Sequence, residues 1–241
     1  MCGRFGAERE YVQLALRYRA VIKAIDPGPR YNVAPTDVVP VVVAHEGERY
    51  LTHHRWGLVP HWAKDLSIGA RMINARAESV GTLPAFRESF ATRRCIIPAS
   101  RFYEWQRVGN AKQPYAILRS DGFPMSFAGL WASWSDPRTR ERVLSCAIVT
   151  TMANAMMAPL HDRMPVILED DALGMWLDPS LTDTSALLQM LVPCGDDVLF
   201  AYAVSPLVNN VRNDGPDLVT PLAVAQGEVH ATVTEQLSFE R

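Results

Sequence analysis

Short apolar segments rich in β-branched residues follow one another through most of this chain, and few helical segments lie between them. The segment from Val38 to Ala44 predicts a strand, the turn Glu46-Gly47-Glu48 follows it, and Tyr50 to Trp56 predicts a second strand. Because the strands follow one another with few crossover helices, we expect an α+β fold, with a mainly antiparallel β-sheet or open barrel and flanking helices.

Further elements are predicted along the chain, and no connection between them offers a place to divide it into two domains. A helical pattern at 8–25 stops at Asp26-Pro27-Gly28-Pro29, a strong helix breaker. Further strands are predicted at 94–97, 103–106, 115–118, 126–134, 144–150, 166–168 and 200–204, and further helices at 171–177 and 184–191. We therefore expect a single domain, 1–241.

Composition excludes several classes of protein. No apolar run reaches the roughly 18 residues that a membrane helix needs, so no membrane association is expected. The four cysteines, Cys2, Cys95, Cys146 and Cys194, lie far apart and form no CxxC pair. This spacing argues against a zinc site or a disulfide framework and is typical of a protein of the reducing cytoplasm.

Charge is distributed unevenly between the two halves of the chain. Residues 1–120 contain 18 basic and 10 acidic residues, whereas residues 121–241 contain 6 basic and 16 acidic ones. Of the 24 basic residues 21 are arginine, whose planar guanidinium suits phosphate and stacks on bases. The pattern favours a polyanionic partner for the first half, although coding bias and mutual neutralisation of the halves would explain it equally.

Cys2 would become the N-terminal residue if Met1 were removed, and it would then carry two nucleophiles, a thiol and an α-amine. An α-amine has a pKa near 8, against about 10.4 for lysine, so a good fraction is neutral at neutral pH. A 1,2-aminothiol can attack a carbonyl through its thiolate, or condense with an aldehyde through both atoms to close a thiazolidine ring. By itself, Met1-Cys2 favours an incidental residue near a chain terminus.

Three other segments are polar where a plain core would be apolar. Asn74, Arg76 and Glu78 alternate, so an extended segment would point them one way. The acid Glu104 lies among aromatic residues, and a histidine and an arginine share the short connection 159–165. In isolation each segment has a structural explanation. Asn74 would be a turn residue, and Arg76 and Glu78 a surface ion pair. Glu104 would be the outward residue of a half-buried strand, and the histidine would be solvated.

Two families of proteins with an N-terminal cysteine are compatible with the start of this chain, and eight motifs decide between them. One is the family of glutamine amidotransferases, which open with Met-Cys-Gly and in which the cysteine attacks a side-chain amide. The motifs are, in chain order, MCGRF (1–5), RYNVAPT (30–36), WGLVP (56–60), NARAE (74–78), RCIIP (94–98), FYEW (102–105), HDRMP (161–165) and SPLVNNV (205–211). Together they resemble the SOS response-associated peptidase (SRAP) family and its fold. The resemblance runs from residue 2 to about residue 221 and leaves a C-terminal tail at 222–241.

The resemblance implies a covalent reaction with damaged DNA. The family recognises abasic sites in single-stranded DNA and crosslinks to them through the N-terminal cysteine. The α-amine of Cys2 would form a Schiff base with C1′ of the ring-opened sugar, and its thiolate would close the thiazolidine. A Schiff base alone permits β-elimination at the 3′ phosphate, which cuts the strand, so ring closure would shield the lesion.

The resemblance also assigns three residues to act beside Cys2. Glu104 would shuttle protons at the amine and the sugar, and its aromatic neighbours would raise its pKa by desolvation. His161 would hydrogen-bond O4′ and promote ring opening. Asn74 would hold the substrate or the N-terminal residue through its amide.

By the same resemblance, DNA contacts are expected at six positions: Arg4, Asn32, Trp62, Arg76, Trp105 and Arg163. Arg76 and Arg163 would grip phosphates flanking the lesion, and the two tryptophans would stack on exposed bases. Some relatives carry a second aromatic residue beside the one that matches Trp62, whereas this chain has Ala63.

The expected partner is therefore single-stranded DNA with abasic sites, including single-/double-strand junctions. The protein is expected to act as a monomer, with no cofactor and no metal, in the cytoplasm and at the nucleoid when bound to DNA. Two alternatives remain at this point: a cysteine-type peptidase that acts mainly on its own N-terminus, and a non-catalytic single-stranded DNA-binding module.

Overall fold

The strands of the protein form two sheets in a computed structural model that describes residues 2–109 and 111–222. In chain order the strands are β1 (Phe5–Ala7), β2 (Ala20–Ile22), β3 (Arg30–Val33), β4 (Val38–His45), β5 (Glu48–Trp56), β6 (Asn74–Arg76), β7 (Arg94–Ala99), β8 (Arg101–Val108), β9 (Ala111–Arg119), β10 (Met125–Ser135), β11 (Arg142–Met152), β12 (Arg163–Pro165) and β13 (Leu199–Ala203). The helices are α1 (Tyr11–Tyr18), α2 (Arg87–Thr92), α3 (Leu173–Leu177) and α4 (Thr184–Gln189), with 3-10 turns at Leu66–Arg71, Pro206–Asn209 and Pro216–Val219.

The smaller sheet is antiparallel and has the strand order β13-β9-β8-β1-β3. The larger sheet has the order β12-β11-β10-β7-β4-β5-β2, and β11 also pairs in parallel with β5. This additional pairing closes β4, β5, β7, β10 and β11 into a ring of five strands. The predicted α+β class with a mainly antiparallel sheet is thus confirmed, and the barrel is closed rather than open.

Successive residues of the ring strands contribute to two apolar clusters, because side chains alternate across a strand. Ile96 and Leu130 belong to the cluster that the helices cover, which includes Trp176 of α3. Ile97 and Phe127 belong to the cluster that the smaller sheet covers, which includes Phe5 of β1. The ring therefore lies between the helices and the smaller sheet, and it anchors both.

The hairpin between β4 and β5 confirms the predicted turn. Glu46 and Gly47 both have positive φ, of 49° and 81°, as a two-residue turn of the kind that matches the twist of paired strands requires. The longer predicted strands of the ring are also confirmed, each within a few residues at its ends.

Two predicted elements differ from the structure. The helix predicted at 8–25 ends at Tyr18, where Arg19 adopts φ 50°, and Ala20–Ile22 then pairs with β5. The strand predicted at 166–168 is reduced to an isolated antiparallel bridge between Ile167 and Phe127 of β10, and the strand β12 that pairs with the end of β11 directly precedes it. At the end of α1, pairing with a strand distant in sequence overrides the local pattern.

Some predictions fall outside the described part of the chain. Of the tail predicted at 222–241, only Leu222 is described, and Met1 is also outside. Within the described residues, no helix combines the length and apolar character needed to span a bilayer.

Arg94 joins two helices to the ring through its buried guanidinium. It donates hydrogen bonds to the carbonyl oxygens of Phe90 and Ala91 in α2 and of Trp176 in α3, and to two carbonyls that follow α3, those of Asp178 and Leu181. Carbonyls at the C-terminal end of a helix have no partner within the helix, so one side chain satisfies both helix ends.

Replacing Arg94 with Met should therefore destabilise the protein by about 3 kcal/mol, because a buried carbonyl that loses its donor costs roughly 1–3 kcal/mol. Urea unfolding followed by circular dichroism measures the change. Arg87→Met, at an exposed position of α2, is the matched control and should change the free energy of unfolding little. Equal stability of the two variants would contradict the anchoring role of Arg94.

Candidate functional site

The N-terminal segment is held inside the smaller sheet. Phe5 pairs with Val33 of β3 on one side and with Phe102 of β8 on the other, and the N–H of Tyr103 donates to the carbonyl of Arg4 at 3.0 Å. Continued by two residues, this antiparallel register brings the chain at residue 3 opposite Glu104. Cys2 is consequently fully buried although it stands near the chain terminus.

Asn74 holds the backbone of Cys2. Its Nδ2 donates to the carbonyl oxygen of Cys2 at 2.9 Å. Strand β6 places it there by pairing in parallel with β11, opposite Ile148. Because the amide nitrogen is the donor, Oδ1 is left as an acceptor, and this buried oxygen has no hydrogen-bond partner among the described residues. The site therefore offers an acceptor to a donor group of a ligand or of the mature N-terminus.

Glu104 lies on β8 and is only 4% exposed. Burial raises its pKa to about 7, and the negative charge of Asp162 contributes to this rise. Burial also raises the pKa of the Cys2 thiol well above its ordinary range, and the charge of Glu104 adds to that rise. A carboxyl with a pKa near neutrality can both give and take a proton at neutral pH. The direction of this pKa shift agrees with the desolvation expected from the aromatic neighbours of Glu104 in the sequence.

His161 directly precedes β12. Its Nδ1 accepts a hydrogen bond from the N–H of Arg163 at 3.0 Å and lies 2.7 Å from a carboxylate oxygen of Asp162. Burial lowers the pKa of His161, and this effect outweighs the opposite effect of Asp162. The hydrogen bond from Arg163 favours the neutral ring with its proton on Nε2, whereas the contact with Asp162 favours a proton on Nδ1.

Arg4 and Asn32 form one buried arrangement beside these residues. Nη1 of Arg4 donates to Oδ1 of Asn32 and to the carbonyl of Val208, both at 2.8 Å, and its guanidinium lies 5.8 Å from the ring centre of Trp105. Asn32 is fully buried. The expectation that Asn32 contacts DNA is therefore corrected: its amide positions Arg4 and does not reach the surface.

Arg163 is paired inside the protein. It forms two hydrogen bonds to the carboxylate of Glu78, at 2.9 and 3.0 Å, and one to the carbonyl of Thr150 at 2.6 Å. Only 9% of its side chain is exposed. Arg163 therefore does not present a free guanidinium to a phosphate in this structure, whereas the side chain of Arg76 is exposed and has no ion pair or hydrogen bond among the described residues.

Trp62 is 49% exposed and lies on the turn that follows β5. A close approach holds this turn: a Cβ at Gly57, where φ is 128°, would lie 2.5 Å from the carbonyl oxygen of Gly69. The neighbouring Ala63 is buried, and its carbonyl accepts from Nε1 of Trp134 at 2.8 Å. The position beside Trp62 is thus part of the core and does not supply a second exposed aromatic ring.

The predicted residues differ in burial. Cys2 and Glu104 are buried, as are Asn32 and Arg163. Asn74 is half-buried beside Cys2, and His161 lies on the rim, where the connection before β12 approaches β8 and Gln106 donates to the carbonyl of Pro159 at 3.4 Å. Trp62 and Arg76 are exposed. Among the described residues no group of three or more His, Cys, Asp or Glu side chains is arranged to hold a metal ion.

The sequence alone did not indicate the side-chain partners of two residues near the site. Glu78 pairs with Arg163, and not with Arg76 as its spacing would allow. Asn209 accepts a hydrogen bond from Nε1 of Trp105 at 2.6 Å. The only sequence signal for Asn209 is its place in the motif at 205–211.

Comparisons of sequence and of structure find similar proteins that match along most of this chain. The sequence model described as SOS response associated peptidase (SRAP) matches residues 1–211. The abasic site processing protein YoqW of Bacillus subtilis is 40% identical over 223 residues, which cover 91% of this chain and 99% of that protein. The abasic site processing protein HMCES of Xenopus tropicalis is 30% identical, over 82% of this chain and 68% of that protein. A crystal structure of a protein from Bacteroides thetaiotaomicron matches with a TM-score of 0.83 and 26% identity, over 92% of this chain and all of that one.

The raised pKa of Glu104 makes a prediction about stability. Because the folded-state pKa, about 7, lies above the roughly 4.3 of an exposed glutamate, the stability linked to Glu104 is complete below pH 4.3 or so and is lost as the pH rises to about 7. In the Glu104→Gln variant the side chain at position 104 does not titrate. The free energy of unfolding of this variant, relative to that of the wild type, should therefore rise over this pH interval, by about 1.4 kcal/mol for each unit by which the pKa of Glu104 is raised.

Urea unfolding of both proteins at a series of pH values between about 4.5 and 8 measures the difference. Glu46→Gln, at a position whose side chain is 83% exposed, corrects for the loss of one carboxylate from the surface. A stability difference between Glu104→Gln and wild type that stayed constant with pH would show that Glu104 does not titrate in this interval.

Proposed function

The chain belongs to the SOS response-associated peptidase family, and on that premise we propose that it processes abasic sites in single-stranded DNA by a covalent thiazolidine crosslink at Cys2. The proposal requires the removal of Met1, which exposes the α-amine of Cys2. The observation that carries it is the position of Cys2, buried, held at its carbonyl by Asn74 and close to a carboxyl whose pKa is about 7. The crosslink would shield the lesion from strand cleavage.

The first step joins the amine to the sugar. The ring-opened abasic sugar has an aldehyde at C1′, which the neutral amine attacks to form a C–N bond. The carbinolamine then loses its hydroxyl group as water and becomes the imine. Protonated Glu104 suits the delivery of the proton that the departing hydroxyl needs, since its pKa near neutrality leaves a substantial protonated fraction.

The second step closes the ring. The Cys2 thiol adds across the C=N bond: sulfur bonds to C1′ and the nitrogen gains a proton, so the sequence as a whole releases one water. Burial raises the pKa of the thiol, so the thiol is protonated at neutral pH and needs a base at the moment of attack. The carboxylate form of Glu104, which the first step leaves behind, supplies that base.

Two further side chains would act on the sugar. His161, in its neutral form with the proton on Nε2, would donate to O4′, which favours opening of the sugar ring. The unpartnered Oδ1 of Asn74 suits acceptance from the new amine or from a sugar hydroxyl.

DNA would reach this site across a surface formed mainly by the first half of the chain. Arg76, exposed beside Asn74 on β6, suits a phosphate next to the lesion. Trp62, exposed on its turn, and Trp105, half-buried beside Glu104, suit stacking on bases of a single strand or of a single-/double-strand junction. The fully buried Asn32 and the paired Arg163 would support this surface from below. The protein would act as a monomer, in the cytoplasm and at the nucleoid when it is bound to DNA.

Self-removal of Met1 is a second candidate activity, which one observation favours. The 1–2 peptide bond adjoins Cys2, whose own carbonyl Asn74 holds, and Glu104 lies close enough to affect the pKa of the Cys2 thiol. General peptidase activity is less well supported, because the raised pKa of the Cys2 thiol opposes the thiolate that such attack needs.

The crosslink should be visible on a denaturing gel. Wild-type protein without Met1 is incubated with a single-stranded oligonucleotide that carries one abasic site, and a heat-stable shifted band is expected. Cys2→Ala, which keeps the α-amine and lacks the thiol, should give no heat-stable thiazolidine band and more cleaved strand. Absence of a band with wild type would overturn the proposal, and release of fragments from a casein-type substrate would favour a peptidase.

Glu104→Gln should slow crosslinking by about 10²-fold or more, the range typical of losing a general acid–base group, with a modest loss of DNA affinity. The wild-type rate should vary with pH around 7, the value to which burial raises the pKa of Glu104, and this variation should vanish in the variant. Single-turnover rates across the pH range measure both effects. An unchanged pH profile in Glu104→Gln would remove the proton-shuttling role.

Arg76→Ala should weaken binding of single strands of every sequence and reduce the slope of log affinity against log salt by about 0.7, the value for one phosphate contact. Arg138→Ala is the matched control, because Arg138 is 85% exposed on the turn between β10 and β11, at the end of β11 that lies away from β6. Fluorescence anisotropy at several salt concentrations measures the slopes. Equal slopes for both variants would contradict the phosphate contact.

A further inference from the structure

Residues 205–213, here called the strap, are fixed to the N-terminal part of the smaller sheet. The buried amide of Asn32 donates to three strap carbonyls, those of Val208 at 3.2 Å, Asn210 at 3.1 Å and Asn213 at 2.8 Å. Arg4 donates to the carbonyl of Val208 as well. The strap thus has a defined position relative to the segment that carries Cys2, and it contains a sequence motif to which the proposed function assigns no role.

The strap also contacts Trp105, the neighbour of Glu104 on β8. Nε1 of Trp105 donates to Oδ1 of Asn209 at 2.6 Å, and the Arg4 guanidinium lies over the ring at 5.8 Å from its centre. An indole has a single hydrogen-bond donor, so Asn209 occupies the only polar group of the side chain. The indole is therefore oriented from two directions, at its N–H edge by Asn209 and at one face by Arg4.

We propose that Asn209 is a positioning residue that orients Trp105, so that the indole face opposite Arg4 stacks on a base beside the lesion. The inference rests on the proposed function and deepens it. A Trp side chain has two rotatable bonds, and a ring that is already held loses less rotational freedom when a base stacks on it. Because the N–H is occupied, the indole offers a base its face alone, and every base can stack in this way.

The positioning role predicts an effect on binding and not on the chemical step. Asn209→Leu keeps the size of the side chain and removes the acceptor. It should raise the concentration of abasic oligonucleotide at half-maximal crosslinking rate about three- to tenfold, as the loss of one hydrogen bond of ordinary net strength implies. The maximal rate should stay at the wild-type value, because Glu104 and Cys2 are untouched.

A double-mutant cycle with Trp105→Phe tests whether the effect passes through the indole. Phe retains an aromatic face and lacks Nε1–H, so Asn209→Leu should add no further loss in the Trp105→Phe background. Binding of an undamaged single strand is measured in parallel by fluorescence anisotropy for all four proteins, after thermal unfolding has shown that the variants melt with the wild type.

The possible outcomes separate the two proposals. A wild type that binds single strands but forms no crosslink would overturn the proposed function, while the anisotropy cycle would still test the role of Asn209. Wild-type affinity in Asn209→Leu, or an equal loss of affinity in both backgrounds, would overturn the inference even if crosslinking is efficient. A lower maximal rate with an unchanged half-saturating concentration would also overturn it, since Asn209 would then act on the chemical step.

Discussion

The candidate site depends on the pairing of β1 between β3 and β8. A strand of three residues near a chain terminus has little stability of its own, and it is retained here because hydrogen bonds on both edges and the burial of Phe5 hold it. The ring of Phe5 packs against Trp56 at 5.0 Å and against Phe127 at 6.1 Å, so β1 is anchored directly in the five-stranded ring. This anchoring places Cys2 in the interior, where the charge of Glu104 affects the pKa of its thiol.

Desolvation is the dominant electrostatic effect at the site. It raises the pKa values of both the Glu104 carboxyl and the Cys2 thiol, and it lowers the pKa of His161, so all three groups shift toward their neutral forms. Neutral groups suit a condensation in which protons are passed among an amine, a hydroxyl and a thiol. Charge is kept mainly at the edge, where Arg76 is exposed, and in pairs such as Arg163 with Glu78.

The long strands of the ring were predictable because their β-branched and apolar residues specify an extended, buried backbone locally. The short strands were not. No strand is predicted at Arg30–Val33 or at Phe5–Ala7, because both strands exist through pairing with partners far along the chain. The same reason explains the helix that ends early at Tyr18, since the three residues that would continue it are recruited by the edge of β5.

The sequence by itself determined the family and the class of fold and predicted the candidate site residues, because eight ordered motifs and the alternation of Asn74, Arg76 and Glu78 are properties of a linear pattern. The tertiary structure alone decided what each side chain touches. In the folded protein Asn32 is buried and forms hydrogen bonds with Arg4 and with the strap. Arg163 pairs with Glu78, and Asn209 accepts a hydrogen bond from the indole of Trp105. Hydrogen-bond partners separated by tens to hundreds of residues follow from strand register and burial, which no local pattern of residues records.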